Sequence, residues 1–519
     1  MAEATTPSAS RPPARVASID AGRPFLPTLI GALFDGALVP DFRFDAADPA
    51  ALADVTLLVP TRRAARAAAD AILAEVARRG HGRAVLLPDI RPFGDVDEDG
   101  ELLGEAELDL TPVIAPLERR LTLTRLVMGW TGRLAGATAH PLTAAMPTLP
   151  TSPAEAVRLA DALATLMDQV ESQGVDWGRL ATLVPEDHAL YWQLTRAFLS
   201  IVTEVWPKHL AEQGREDPTR RRHAAVRATA ERLRAHPPKG PVIAAGSTGS
   251  VPSTAELIDA VARLPRGVAV LPGLDVDLDE AAWQALEPAA DTADRPVPSH
   301  PQYGLRLLLD RLGVERADVV RLGGPDRRGD ARRRLLCEAM RPAETTESWR
   351  GFADAISTGA FALDDALDGL ALLEARHEAE EAVAVALALR EALETPGATA
   401  ALVTPDRNLA RRVAAELSRF GLEIDDSAGR PLGHTAPGAL LRLVGEVALG
   451  GWEPIAVASL LSHPLARFGR EATAARRLGR LVELIALRGP RPLPGGAGLL
   501  AAFDEAIARI DAEPHRTAA

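Results

Sequence analysis

The sequence predicts an α/β protein built on a parallel sheet and interrupted by an all-helical segment. Short β-prone runs alternate with helical patterns from Val16 to Arg91, and this alternation returns from Pro241 to Asp275. Between them, residues 109–236 carry apolar side chains at three- and four-residue spacing, which is typical of amphipathic helices. Strands that alternate with helices favour a parallel sheet with helical crossovers.

The first α/β segment contains two strand predictions around one helix prediction. Val55–Val59 is a β-prone run that ends at Pro60, and Thr61 opens an alanine-rich helix that reaches about Arg79. Ala84–Leu87 is predicted as the next short strand. The order of strand, turn, helix and strand is that of one parallel crossover unit.

The helical segment leads into a second α/β segment. In the helical segment we predict helices at 118–130, 154–173, 188–213 and 220–235. After them we predict strands at 242–245 and 267–271, a small-residue loop at 246–250 and a helix at 253–264. No strand pattern is present from Trp283 to His300, so a surface loop is expected there.

A further α/β unit is predicted from Leu370 onwards. Its strands are expected at 370–374 and 400–404, and its helices at 377–394 and from 407 to about 421. After Gly438 the chain is expected to be mostly helical. The segment Val55–Glu75 resembles Ala400–Gly421 in sequence pattern. Either the similarity is chance between two alanine- and arginine-rich units, or the two are related α/β domains.

Together these patterns divide the chain into six parts. They are a disordered tail (1–15), a first α/β domain in two pieces (16–108 and 237–360), a helical insertion (109–236), a second α/β domain (361–438) and a helical region (439–519).

Composition limits the protein class. Of 519 residues, 47% are apolar and 25% are charged, which is typical of globular domains. The first residues lack the apolar core of a signal peptide, and no apolar run is long enough to span a bilayer, so a cytoplasmic protein without membrane contact is expected. The single cysteine, Cys337, excludes disulfides and cysteine-held zinc or iron–sulfur sites within this chain.

The charged residues exclude two kinds of catalytic site. All but two of the 58 basic residues are arginine; the lysines are Lys208 and Lys239. Neither lies in the Gly-Lys-Ser/Thr sequence that a phosphate-binding P-loop needs. An Asp/Glu-x-Lys nuclease motif is excluded because Trp206 and Pro237 stand two places before them. The net charge of −13 argues against a general polyanion binder.

The loop at 246–250 is the best phosphate-binding candidate in the sequence. Small residues between a strand and a helix expose backbone N–H groups, and Ser247, Thr248 and Ser250 add hydroxyls. The alternative is a tight turn in which Ser or Thr caps the following helix.

Two further segments follow strand predictions and carry arginine. The first segment consists of Thr61, Arg62 and Arg63. The second segment contains Thr404, Asp406 and Arg407. A hydroxyl and a guanidinium at such a strand end suit a nucleic-acid phosphate, with helix capping as the alternative.

The loop 425–432 combines two adjacent carboxylates with Arg430. Paired acids suit a metal or acid–base chemistry, but a turn with an internal Asp–Arg pair is favoured, because no third acid or histidine lies at ligand spacing. Arg430 is kept as a DNA-contact candidate. No catalytic, cofactor-binding or metal-binding residue is predicted.

Several blocks taken together resemble the AddB family of double-strand-break repair subunits, in its alphaproteobacterial form. They are LVPTRRAARA (58–67), LLPDIRPFGDVDED (86–99), PVIAAGSTGSVPSTAELI (241–258), VLPGLDVDLDEAAW (270–283), HPQYGL (300–305), RPAETTESWR (341–350), ALVTPDRNLARRVAAEL (401–417) and EIDDSAGRPL (423–432). The resemblance implies superfamily-1 helicase-like, RecA-like parallel-sheet domains with all-α insertions. It also implies processing of DNA ends for recombination, contact with single-stranded DNA and AddA as the heterodimer partner.

The sequence departs from a working motor of that family. Ile19–Phe25 stands where Gly-Lys-Thr is expected, and no acid follows Val242–Ala245, where a magnesium-binding acid is expected. The family's C-terminal nuclease domain, with its iron–sulfur cluster and nuclease metal, has no counterpart here, so an N-terminal portion without a cofactor is expected. The competing interpretations are a small-molecule enzyme that binds a phosphorylated ligand at 246–250 and a scaffold that contacts no DNA.

Overall fold

A computed structural model describes residues 12–45, 47–48, 50–80, 85–93, 111–136, 152–182, 195–196, 198–287 and 297–512. The chain forms two compact units, Met1–Leu370 and Ala371–Ala519. Within the described residues, no helix combines the length and the apolar character needed to cross a membrane.

The first unit contains a six-stranded sheet in which every strand pair is parallel. The strands are β1 (Val16–Ile19), β2 (Thr56–Val59), β3 (Asp89–Pro92), β4 (Val242–Ala245), β5 (Gly267–Pro272) and β6 (Val320–Leu322). Their order in the sheet is β3-β2-β4-β5-β1-β6. The prediction of an α/β fold on a parallel sheet is confirmed.

Helices cover both faces of this sheet, which is why its inner strands are apolar on both sides. Alternate strand residues enter two cores: Leu57 and Val268 pack with α1 (Phe25–Phe34) and α2 (Arg62–Arg78) on one face. Leu58 and Leu271 pack on the other face. That second face is covered by α7 (Pro252–Ala262) and α9 (Tyr303–Leu312).

The segment between β3 and β4 is mainly helical where it is described, with one isolated parallel bridge between Val113 and Glu216. It contains α3 (Pro116–Gly136), α4 (Pro153–Gln173), α5 (Trp206–Glu212), α6 (Pro218–Ala235), a 3-10 helix (Trp177–Thr182) and a π-helix (Ile201–Val205). Leu123, Leu163, Met167 and Trp206 belong to its separate core. The predicted helix at 188–213 is described only in part, since residues 188–194 lie outside the described ranges.

The rest of the first unit is built from short helices. They are α8 (Glu280–Gln284), α10 (Arg327–Ala339), α11 (Trp349–Ser357) and α12 (Leu363–Leu367), with 3-10 turns at Val297–Ser299, Arg316–Asp318 and Ala343–Ser348. Arg327 donates to Asp365 at 2.7 Å, and Arg332 donates to the carbonyl of Ala366 at 3.0 Å. These bonds hold α12 to α10 within the unit that extends to Leu370.

Two local predictions in the first unit are wrong. The strand expected at 84–87 lies instead at Asp89–Pro92, where the backbone pairs with β2. Phe93, the residue after this strand, is buried in the core. Ala84 itself and the acidic run 95–99 lie outside the described residues. Arg15, assigned to the tail, bonds through its backbone to Ala262 and Ala269 and so extends β1; residues 1–11 of that tail are outside the described ranges.

The second unit contains helices and irregular segments, and no strand, among its described residues. It contains α13 (Glu378–Ala392), α14 (Arg407–Ser418), α15 (Ala436–Leu449), α16 (Pro454–Ser462), α17 (Ala472–Val482) and α18 (Gly496–Ala512), with a 3-10 turn at Leu432–His434 and a π-helix at Glu483–Leu487. The strands predicted at 370–374 and 400–404 do not form. Leu372 and Val403 are 89% and 94% exposed. Among the described residues, these runs have no partner strand that could satisfy their backbone or bury their side chains.

Candidate functional site

The carboxyl edge of the sheet brings two predicted loops together. Because β2 and β4 are parallel neighbours, the loops that follow them start side by side. A Cβ added to Gly246 would lie 3.4 Å from the Pro60 ring and 3.4 Å from Phe25. Thus the segment Thr61–Arg63 and the loop 246–250 share one edge of the sheet.

The loop 246–250 is a tight, half-buried turn. Gly246 and Gly249 have positive φ angles of 80° and 63°, where glycine is favoured. The Ser247 hydroxyl accepts the N–H of Gly249 at 3.2 Å. A Cβ on Gly249 would lie 2.8 Å from a methyl group of Leu308 in α9, and Thr248 lies beside Gly304 of the same helix. Ser250 is exposed.

The helix that follows this loop has no side-chain cap. Its N-cap is Val251, so the alternative of Ser or Thr capping is wrong. Ser253, expected at the start of this helix, is 1% exposed, and its hydroxyl bonds to Nδ1 of His223 in α6 at 2.8 Å. Nε2 of His223 lies 3.2 Å from the Ser172 hydroxyl in α4. Ser253 therefore joins the helical insertion to the α/β core.

Thr61 is the N-cap of α2, as the capping interpretation expects. Its hydroxyl accepts the N–H of Ala64 at 3.1 Å. Thr61, Arg62 and Arg63 are all exposed. The capping bond engages the Thr61 hydroxyl. Arg62 and Arg63 are the first residues of α2, which begins at the carboxyl edge of the sheet.

A cluster of charged side chains with a buried centre follows β1. Asp20 is 4% exposed and accepts Nε of Arg321 at 2.7 and 2.9 Å on its two oxygens. Arg333 donates to Asp20 at 3.1 Å, to Asp330 at 3.0 Å and to Asp277 at 2.7 Å. These arginines come from β6 and α10, so the cluster joins both elements to β1.

The electrostatics of this cluster favour its charged form. Burial alone would lower the pKa of Arg333, but the hydrogen bond to Asp277 and the charges of Asp277 and Asp20 raise it above its ordinary value. Arg23, in the same loop, lies 3.6 Å from Asp20 and donates to the carbonyl of Gly324. The arginines of this cluster are thus matched by carboxylates.

The candidate residues of the second unit lie around the start of α14. The Thr404 hydroxyl accepts the N–H of Asp406 at 3.0 Å, and Asp406 caps the helix. Arg407 forms a bidentate pair with Asp426 at 2.5 and 3.0 Å, which raises the pKa of Arg407. The prediction of an Asp–Arg pair within loop 425–432 is therefore wrong, because Asp426 pairs with Arg407 outside that loop. Arg430 is exposed.

His377 and Cys337 have structural surroundings. His377 caps α13 by accepting the N–H of Glu380 at 3.2 Å. Cys337 is buried, and this burial raises the pKa of its thiol. Within the described ranges, no three His, Cys, Asp or Glu side chains are grouped to hold a metal ion.

The sequence patterns missed a cleft in the helical insertion. It has a volume of about 440 Å³ and is lined by Met167, Trp177, Trp206 and residues of the π-helix. Asp217, also in its lining, accepts the Trp206 indole N–H at 3.3 Å and Arg119 at 3.0 Å. The most buried charge of the cleft is therefore already paired.

Comparison with models of known protein families finds no match, and comparison with curated proteins finds none.

Proposed function

We propose that this chain is a non-motor, helicase-like subunit of an AddAB-type helicase–nuclease that processes DNA double-strand breaks for recombinational repair. AddA would be its heterodimer partner and would supply the motor. The motif resemblance suggests this function. The parallel sheet supports it by placing the corresponding loops along one edge.

The strand order supports comparison with a motor domain. The resemblance assigns the phosphate-loop position to the segment after β1 and the magnesium acid to the end of β4. In the sheet these strands are separated only by β5, so both positions face the same edge. Gly246 follows β4, and Asp20 follows β1.

The observation that carries the non-motor part of the proposal is the cluster around Asp20. A phosphate loop presents backbone N–H groups and a lysine to the nucleotide. Here a buried carboxylate occupies the first position after β1 and is paired with Arg321 and Arg333. A triphosphate would have to break these pairs and approach a negative charge, so we expect no ATP binding at this edge.

The DNA-binding part of the proposal rests on exposed groups. Arg62 and Arg63 project from the start of α2, and Ser250 lies on the neighbouring loop. Guanidinium groups and helix starts are common phosphate contacts in protein–DNA complexes. Thr404, Arg407 and Arg430 are the proposed counterparts in the second unit, although Arg407 must exchange Asp426 for a phosphate.

Replacement of Arg62 and Arg63 with alanine tests this contact. We expect the salt dependence of single-stranded DNA binding to fall by about 1.4 in log–log slope, since each lost phosphate contact removes about 0.7. R78A is a control, because Arg78 is an exposed arginine at the other end of the same helix, α2. If the slope of the AddA complex is unchanged by R62A/R63A, these arginines do not lie on the DNA path.

Partnership with AddA is tested by co-expression of both chains. Size-exclusion chromatography with light scattering should show a one-to-one complex that binds blunt DNA ends. If both chains are folded but elute separately at micromolar concentrations, the proposal is wrong.

A second function, the binding of a phosphorylated small molecule at loop 246–250, is favoured by the uncapped start of α7. Measuring the binding of inorganic phosphate, nucleoside monophosphates and an oligonucleotide distinguishes this function from DNA binding. Saturable monophosphate binding that S250A and T248V weaken, without oligonucleotide binding, would favour this alternative.

A further inference from the structure

We infer that the outer face of α17, with Arg476, Arg477 and Arg480, binds the phosphate backbone of single-stranded DNA. This inference rests on the proposed function for the identity of the ligand. The site itself is a separate arginine face, defined below by its packing, its charge and a neighbouring aromatic side chain.

Packing fixes which side of α17 faces the solvent. Ala475 and Gly479 are its buried residues, and a Cβ on Gly479 would lie 3.0 Å from the carbonyl oxygen of Leu461 in α16. Successive residues of an α-helix turn by about 100°. Measured from the middle of that contact, Arg477 therefore lies at about 180°, Arg480 at about 120° and Arg476 at the flank, about 80° away. All three are exposed.

The positive charge of this face is poorly compensated. Arg480 lies 3.5 Å from Glu483, but Arg488 bonds to the same carboxylate at 2.8 Å. Among the described residues, neither Arg476 nor Arg477 has a carboxylate within 4.0 Å. An uncompensated arginine face on a chain of net charge −13 is a local electrostatic attraction for phosphate.

The turn before α17 adds an exposed aromatic side chain between two more arginines. Phe468 is 57% exposed and has a φ of 50°, a left-handed conformation that is unusual for a bulky residue. Arg467 and Arg470 flank it and are exposed. Arginines that hold phosphates beside an aromatic ring that stacks on a base are the usual combination in single-strand binding. This combination favours single-stranded DNA over a duplex.

The test compares two triple variants of the full chain in complex with AddA. R476A/R477A/R480A removes the proposed contacts. R376A/R419A/R442A removes the same charge from arginines of the same unit that pair with Glu380, Glu416 and Glu446. Binding of a fluorescent oligothymidine is measured by anisotropy across a salt series.

We expect the first variant to lower the log–log salt slope by about 2 and the affinity at 0.1 M salt by about 100-fold. The control should change both much less. F468A should weaken binding about 5- to 100-fold while the salt slope stays the same, because stacking involves no counterion release. Lysine replacements at the three arginine positions should keep the salt slope and so report on charge rather than on folding.

An R476A/R477A/R480A complex that binds the oligonucleotide like wild type overturns the inference and leaves the proposed function standing. Equal losses in the two triple variants also overturn it, because net charge alone would then explain the effect. Tighter binding to phosphatidylserine vesicles than to DNA through the same arginines would replace DNA with a membrane surface as the ligand. A wild-type complex that binds no DNA at low salt contradicts both the inference and the proposed function.

Discussion

Replacement of Asp20 with asparagine tests whether the cluster after β1 is a closed structural site. The substitution keeps the size of the side chain and removes its charge. Asp20 is 4% exposed and Arg333 is 9% exposed, so this pair is screened little by solvent. Loss of one partner from a buried pair costs about 3–5 kcal/mol.

Two features of the cluster reduce that cost. Arg333 keeps its bonds to Asp277 and Asp330, and the Arg321 side chain is 42% exposed, so water replaces part of what it loses. We therefore expect Asp20→Asn to lower the free energy of unfolding of the first unit by about 2–3 kcal/mol.

Urea unfolding monitored by pulsed hydrogen exchange of peptides from β1 and β5 reports on the first unit alone. Asp35→Asn is the matched control, because Asp35 is 61% exposed and pairs with Arg79 at 2.9 Å. The control should cost less than about 1 kcal/mol. Equal effects of the two substitutions would show that the cluster does not stabilise β1 and would refute the reasoning.

Two further predictions concern the contacts around loop 246–250. Burial, followed by the charges of two neighbouring arginines, lowers the pKa of His223 below 6.5; the unfolded chain then binds more protons, so stability should fall as the pH drops below about 6.5. His223→Gln should flatten this part of the pH profile of urea unfolding, and an unchanged profile would contradict it. Gly249→Ala should cost about 1–2 kcal/mol, because it forces a left-handed conformation and a 2.8 Å approach to Leu308. Gly324→Ala, with no atom within 4 Å of the new Cβ, is the control, and equal costs would contradict the explanation.

Local sequence patterns were sufficient for much of the first unit. Val242–Ala245 and Gly267–Leu271 are apolar runs between turn residues, and buried parallel strands have this composition. The three residues of β6 have no such signal, since Val320 and Arg321 are exposed. β6 forms because it pairs with β1, a contact between residues about 300 positions apart in the chain.

The same limit explains the errors in the second unit and the missed charged cluster. The runs at 370–374 and 400–404 have β propensity, but a strand also needs a neighbouring strand, which local composition cannot supply. Asp20 and Arg321 come together through the pairing of β1 with β6, and Arg333 reaches Asp20 from α10. The arginine face of α17 could not be predicted from the sequence, because arginine is abundant throughout the chain. Only the buried side of the helix shows which arginines share a face.

The most direct test of the central claim is ATP hydrolysis by the chain alone and in complex with AddA. We expect no hydrolysis by the isolated chain, with or without single-stranded DNA. The complex should hydrolyse ATP when DNA ends are present, and substitution of the phosphate-loop lysine of AddA should abolish this activity. DNA-stimulated hydrolysis by the isolated chain, or hydrolysis that persists in the complex with that AddA variant, would contradict the assignment of this chain as a subunit without a motor.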